Sequence, residues 1–275
     1  MKKLFLGLAL ILGLVSRFYL IDKMPPHLSN DEISIAYDAY SVANSGRDEH
    51  GNKYPLSFES HGTYKAPLYS YVLIPLVKVF GNSELVVRIP SIIAGLVAVV
   101  MIGLIAMEIT GNKGVAICSA IVLLICPWHI VTSRMVLEAN LALALLSVGI
   151  WLVLRKQFWL SILPLALSIY AYHTEWILVP LLAVLIKMFY FKEKKGWIWL
   201  TILALICLPL LGDHVGNVGG GARANSEVLW REAGFVVSLQ NIVVRFFKNY
   251  LDYFSPSHLF FNGLGLLPKD NPFQP

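Results

Sequence analysis

Eight apolar stretches fill most of the first 211 residues, and the basic clusters fall in the short intervals between them. The stretches are Leu4–Ile21, Pro67–Phe80, Val86–Met107, Val115–Val131, Ala139–Leu154, Trp159–Tyr172, Trp176–Phe191 and Trp197–Leu211. A helix that crosses a bilayer needs about 20 apolar residues. Most of these runs meet that length once flanking Trp, Tyr and Ser are allowed into the interface. Only 14% of residues are charged, against about 25% in soluble domains, and mean hydropathy is +0.66. The chain therefore reads as an integral membrane protein. Its net charge of +5 lies in loops rather than on a soluble face, so it reports topology and argues against nucleic acid as a partner. Cys118, Cys126 and Cys207 sit inside apolar runs without metal spacing and read as small buried hydrophobes.

Charge fixes the number of crossings. Lys2-Lys3, Arg155-Lys156 and Lys192-Glu193-Lys194-Lys195 are the basic loops, and the positive-inside rule places all three in the cytoplasm. An even number of spans must then separate Lys2-Lys3 from Arg155-Lys156. Four good spans start at Leu4, Val86, Val115 and Ala139. Pro67–Phe80 would make a fifth, but as a helix it is only about 21 Å long, short of a core of about 30 Å. It is expected to lie along the outer surface. Seven spans remain, with an uncleaved N-terminal anchor, since no small-x-small cleavage site follows Leu4–Val15. The expected localisation is a plasma membrane, with the N-terminus cytoplasmic. Residues 1–211 would form the membrane module. Residues 212–275 would form an outer segment, with an amphipathic surface helix within 226–254.

This topology gathers the ionisable groups on the outer face. Asp31, Glu32, Glu138, Glu175, Lys65, Arg88 and Arg134 all fall there. A transporter would place such groups near the midplane of its helices, whereas the layout here suits chemistry at a membrane surface. Ser29 or Asn30 can cap a helix from Asp31 to about Ala43, and acids in a first turn favour the helix dipole. Helix capping is therefore the alternative role for Asp31-Glu32. Lys65 stands where the surface helix would start and suits a lipid phosphate or simple snorkelling. Arg134 and Glu138 are four residues apart, the spacing of a helical ion pair.

Five motifs occur in order: Asn30-Asp31-Glu32; Tyr64-Lys65-Ala66-Pro67-Leu68-Tyr69; Phe80-Gly81-x-x-Glu84-x-x-x-Arg88-x-Pro90-Ser91; Pro127-Trp128-His129; and Ser133-Arg134-x-x-x-Glu138. Together they resemble the lipid-carrier-dependent glycosyltransferases of family 39, which have the GT-C fold. That group includes the protein O-mannosyltransferases and the aminoarabinose transferases of lipid A. Ser255-Pro256-Ser257-His258-Leu259-Phe260-Phe261-Asn262-Gly263 also looks like the family.

The resemblance implies an all-α polytopic GT-C-like module and an inverting transfer of a sugar from a polyprenyl-phosphate donor to a hydroxyl of a glycan, lipid or protein. It implies Asp31 as the general base or acceptor-orienting group, with Glu32 supporting it. Glu138 stands where the family often has Asp. Lys65 would hold the carrier phosphate, and Arg88 and Arg134 would neutralise it or fix the loops. Tyr64 and His173 complete the substrate-binding candidates. Some GT-C enzymes bind a divalent metal, for which Asp31 and Glu138 would be the ligands. Family members normally continue with further spans, so the resemblance suggests a truncated member. A catalytically inactive relative or assembly partner is the alternative reading, and a transporter a more distant one.

Overall fold

The computed structural model describes residues 11–21, 23–60, 63–191, 194–216, 244, 246–248 and 250–251. The chain divides into two compact units, Met1–Gly220 and Gly221–Pro275. In the second unit, residues 244, 246–248 and 250–251 are helical, and the Phe246 ring stacks on Tyr250 at 6.1 Å. The rest of the expected 226–254 helix, the 255–263 motif, Lys2-Lys3 and Lys192-Glu193 lie outside the described residues.

The first unit is mostly helical. Its described elements are α1 (residues 11–18), α2 (Asn30–Ser45), β1 (Phe58–Ser60), β2 (Thr63–Lys65), α3 (Leu68–Phe80), α4 (Glu84–Thr110), α5 (Lys113–Ile125), α6 (Pro127–Ser133), α7 (Glu138–Leu154), α8 (Phe158–Ala171), α9 (Glu175–Tyr190) and α10 (Lys195–Gly216). The expectation of an all-α chain needs one correction. β1 and β2 form an antiparallel hairpin, with Phe58 opposite Lys65 and Glu59 opposite Tyr64. Lys65 therefore ends a strand instead of starting a helix. Thr63 and Tyr64 favour extended backbone, and Pro67 disfavours helix at Ala66 just before it.

By length and composition, α4 is the one described helix able to cross a membrane unaided, and α5 and α6 form a bent pair, broken by 63°. The expected span Val115–Val131 is thus not straight. Pro127 pushes Cys126 into extended backbone (φ −62°, ψ 118°), which interrupts the helical ladder. Helices α3, α7, α8 and residues Lys195–Leu210 are apolar but shorter.

Two cores organise the unit. One joins α7, α8, α9 and α10 through Leu165, Val179, Trp199 and Leu210, all 1% exposed or less. The other joins α2, α3 and the start of α4. There Ile35, Ala36 and Ala39 of α2 meet Tyr69, Leu73 and Val77 of α3, with Val87 and Val136. The spacing 35, 36, 39, 42 on α2 and 69, 73, 77 on α3 gives each helix one apolar stripe. Close approach of α1 to α5 requires Gly13, where a Cβ would overlap the Leu124 side chain. Beside it the buried Arg17 donates to the Gly13 carbonyl (2.6 Å) and the Leu124 carbonyl (2.9 Å), and contacts His129 Nδ1 at 2.9 Å. Arg17 thereby satisfies the Leu124 carbonyl left open at the α5–α6 break.

Candidate active site

The site begins at the N-terminus of α2. Ser29 is the N-cap, its hydroxyl accepting from the Glu32 amide, while the Glu32 carboxylate accepts from the Ser29 amide at 2.8 Å. This reciprocal capping box satisfies two N–H groups that the helix cannot pair itself. It also leaves the two adjacent acids with different tasks. Asp31 projects outward, its side chain 77% exposed. Glu32 turns inward and is 1% exposed.

The second oxygen of Glu32 accepts from the Val136 amide at 2.8 Å, and Arg88 Nε lies 3.8 Å from it. Glu32 thus ties the start of α2 to the segment before α7 across 104 residues of sequence. It is a structural support for the site, and its oxygens are already committed to backbone donors.

Asp31 meets Lys65. Lys65 Nζ lies 3.0 Å from Asp31 Oδ1 and donates to the Asp31 carbonyl at 3.2 Å. The lysine is 6% exposed, so the hairpin delivers a largely desolvated ammonium to an accessible carboxylate. A Ser34–Ser60 hydroxyl contact at 3.1 Å fixes the hairpin to α2. Spacing on the sequence put Asp31 and Lys65 on one surface, and the fold makes them direct partners.

Of the two roles expected for Arg88 and Arg134, neutralising phosphate or fixing the loops, their contacts fit the second. Arg88 is fully buried and donates to the carbonyls of Ile21 (2.6 Å), Pro25 (3.2 Å) and His27 (3.0 Å). It also lies 3.5 Å from Glu84. Arg134 donates to the carbonyls of Ser16, Tyr19 (2.8 Å), Leu20 (3.2 Å) and Met24 (2.7 Å). Both guanidinium groups therefore hold the 16–27 segment, where α1 ends and leaves carbonyls without partners. The ion pair that spacing suggested for Arg134 and Glu138 is not among these contacts. Arg134 loses some basicity to burial and to the nearby Arg88 charge.

Glu138 opens α7 and is partly buried. It lies close enough to Tyr69 that, after burial itself, the Glu32 and Glu138 carboxylates oppose ionisation of the phenol. Tyr69 donates to the Val87 carbonyl at 3.1 Å. Asn140, two residues after Glu138, donates to the Ser91 carbonyl of α4 at 2.6 Å. Tyr64 is half-buried opposite Glu59, and the His173 ring packs on Trp176 at 5.1 Å.

A divalent metal does not fit these residues. Among the described residues no group of three or more His, Cys, Asp or Glu side chains is gathered for one. Asp31 holds Lys65 instead, and Glu32 is taken by backbone amides.

Two recesses adjoin the site. One, of about 410 Å³, is lined by Asn30, Ile33, Ser34, Tyr37, Glu49, His50 and Ser60. Its lining is mixed and mostly apolar in area, starts at Asn30 next to Asp31 in sequence, and offers hydroxyl, amide, carboxylate and aromatic groups. The other, of about 250 Å³, is almost wholly apolar and runs between α3, α4 and α7 past Val72, Pro90 and Leu141. Leu141 is one turn below Glu138, and Pro90 two residues below Arg88.

Sequence reading passed over two buried groups. Arg17 was concealed within an apolar run. Asp38 was concealed within a helix, although an acid between Ile35, Ala36 and Ala39 interrupts an apolar stripe and could have been noticed. Asp38 is 1% exposed, and its carboxyl is pushed up to about 7 by burial and by the Glu49 and Asp48 carboxylates.

No curated protein and no solved structure matches the chain. The model of the dolichyl-phosphate-mannose-protein mannosyltransferase family matches residues 64–212. The match takes in Lys65, Arg88, Arg134, Glu138 and His173, and starts after Asp31 and Glu32. It spans more than half of the sequence, and the chain therefore belongs to this family of membrane glycosyltransferases.

Proposed function

We propose that the chain transfers a sugar, mannose or a relative of it, from a polyprenyl-phosphate donor to a hydroxyl acceptor on the outer face of a plasma membrane, with inversion at the anomeric carbon. The observation that carries this reading is the Asp31–Lys65 pair, an exposed carboxylate held by a buried ammonium, with one recess lined by Asn30 and Ser34 and an apolar one lined by Pro90 and Leu141. A phosphodiester leaving group needs its developing charge neutralised rather than protonated, and a desolvated lysine supplies that. When Lys65 turns to the phosphate, Asp31 is released. Its carboxylate then takes the acceptor O–H proton as the oxygen attacks the anomeric carbon. The bond from that carbon to the phosphate oxygen breaks, and polyprenyl phosphate leaves with the electron pair.

The apolar recess between α3, α4 and α7 suits the first isoprene units of the carrier. The recess lined by Asn30, Ser34, Glu49 and His50 suits a hydroxyl-bearing protein, lipid or glycan. Glu138, near Tyr69, orients the reacting groups, with Tyr64 and His173 at the margin. Glu32, Arg88 and Arg134 hold the two outer loops in register. In this reading residues 1–211 carry seven spans with a cytoplasmic N-terminus, α3 lies in the outer interface, and 212–275 is an outer segment. The contacts of Glu32, Arg88 and Arg134 between residues 16–32, 88 and 134–136 support placing these loops on one side.

The test is sugar transfer by the full chain in liposomes, with mannosyl-phosphoryl-polyprenol as donor and a panel of peptide and glycan acceptors. Asp31→Asn is expected to reduce transfer by about 10²–10⁴-fold, the usual contribution of a general base, without changing the melting temperature. Unchanged transfer by Asp31→Asn would sink the assignment.

A further inference from the structure

Asp38 is a carboxyl that neither the fold nor the transfer step explains. It lies seven residues beyond Asp31 on α2, two turns along the same face. Ile35, Ala36, Ala39 and Val42 around it are buried, and Asp38 itself is 1% exposed. Neither carboxylate oxygen has a hydrogen-bond partner among the described residues. The charged groups that face it are Glu49 and Asp48 from the turn after α2 and Lys65 from β2. The Glu49 amide directs its positive end toward the carboxyl without completing a hydrogen bond. Asp48 is itself occupied, accepting from the His50 and Asn52 amides at 3.0 and 2.7 Å. Lys65 thus pairs with Asp31, which is 77% exposed, and its charge also reaches the buried Asp38, more weakly than the Glu49 and Asp48 carboxylates do.

The two acids differ in what they can do when a phosphate arrives. Asp31 can rotate into water and keep its charge solvated. Asp38 is fixed in the helix face and must either stay ionised beside the phosphate or hold a proton. An ionised, buried Asp38 competes for Lys65 and repels the donor, whereas a protonated Asp38 leaves the full Lys65 charge to it.

We propose that Asp38 is a positioning residue for donor binding, which by gaining or losing a proton sets the net charge around Lys65 and hence the affinity for the donor phosphate. The inference rests on the assignment of Lys65 to that phosphate. Asp38 is poised for the role, since burial and the Glu49 and Asp48 carboxylates push it up to about 7. One unit charge about 10 Å from the phosphate, at an effective dielectric near 20, changes affinity on the order of ten-fold.

The experiment is binding of decaprenyl methyl phosphodiester to the full chain in nanodiscs between pH 5.5 and 8.5. The probe carries one phosphate charge that does not titrate in this range. Wild-type affinity is expected to fall on the order of ten-fold as pH rises through about 7, the shift one unit charge produces. Asp38→Asn should bind at the low-pH affinity throughout, and Asp38→Glu should restore a pH dependence. A flat wild-type profile overturns the proposal whether or not the variants fold, and so does a wild-type slope in Asp38→Asn. Lys65→Ala separates the two readings. If it binds like wild type, the phosphate role of Lys65 fails and the Asp38 role with it. If it loses binding while Asp38→Asn keeps the wild-type slope, only the Asp38 role fails.

Discussion

Replacing Glu32 by Gln removes one charge and almost no volume, yet the structure assigns it a large cost. The carboxylate accepts from the buried Val136 amide and from the partly exposed Ser29 amide, each at 2.8 Å. Glutamine offers one carbonyl oxygen and one NH₂. In either orientation, one backbone N–H faces another donor and is left unsatisfied, which costs about 1–3 kcal/mol. Arg88 also loses a carboxylate 3.8 Å away. Removing one member of a buried pair costs about 3–5 kcal/mol in full, but Arg88 keeps three carbonyls and Glu84, so a smaller part applies. A net loss of about 3 kcal/mol follows. At about 2–4 °C per kcal/mol, melting would fall by about 6–12 °C. The assay is tryptophan-fluorescence melting in nanodiscs, with hydrogen exchange read at the Val136 amide. Glu32→Gln should lose protection there and melt early, whereas the exposed Asp31→Asn should do neither. Wild-type melting with an intact Val136 amide would refute the claim that Glu32 clamps the two loops.

Arg134→Lys should free the 16–24 segment, because a lysine point charge cannot reach the Ser16, Tyr19, Leu20 and Met24 carbonyls together; proteolysis at Lys23 should accelerate as melting falls by about 2–4 °C per kcal/mol lost. Stability should decline as pH rises from about 4 to 8. Asp38 and the buried Glu175 at the start of α9 are both raised to about 7, first by burial. The folded state therefore holds their protons between the ordinary carboxylate range and about 7, and that stabilisation is lost as pH rises through about 7. Melting temperature against pH checks this, and Glu175→Gln should flatten part of the slope. Gly95→Ala should destabilise by about 1–3 kcal/mol, since a Cβ there would overlap Ser133 and crowd Asn140; a melting temperature equal to wild type would count against that packing.

Several features were legible from residue order alone. Ser29 three residues before Glu32 signals a capping box, and the structure forms it. Pro67–Phe80 was too short to span, and α3 is a 13-residue helix. The Val86–Met107 run became the 27-residue α4. These depend on local chemistry and periodicity, which a sequence carries directly. The kink at Cys126 was encoded by Pro127 but masked by continuous hydrophobicity.

The partners of the charged residues were not legible, because they depend on which strand or loop arrives from far along the chain. Arg88 and Arg134 look alike on the page to a phosphate-binding pair. Only the path of residues 16–27 across them shows that they satisfy carbonyls. Asp31 and Glu32 are neighbours, but a helix turns successive side chains about 100° apart. One therefore faces water and Lys65 while the other faces Val136 and Arg88. The sequence by itself determined the class of protein and the apolar segments, since these follow from hydrophobicity and charge counted along the chain. Tertiary structure alone decided which acid is accessible, which lysine meets it and that Asp38 lies buried behind them, because burial and charge pairing are properties of position in space.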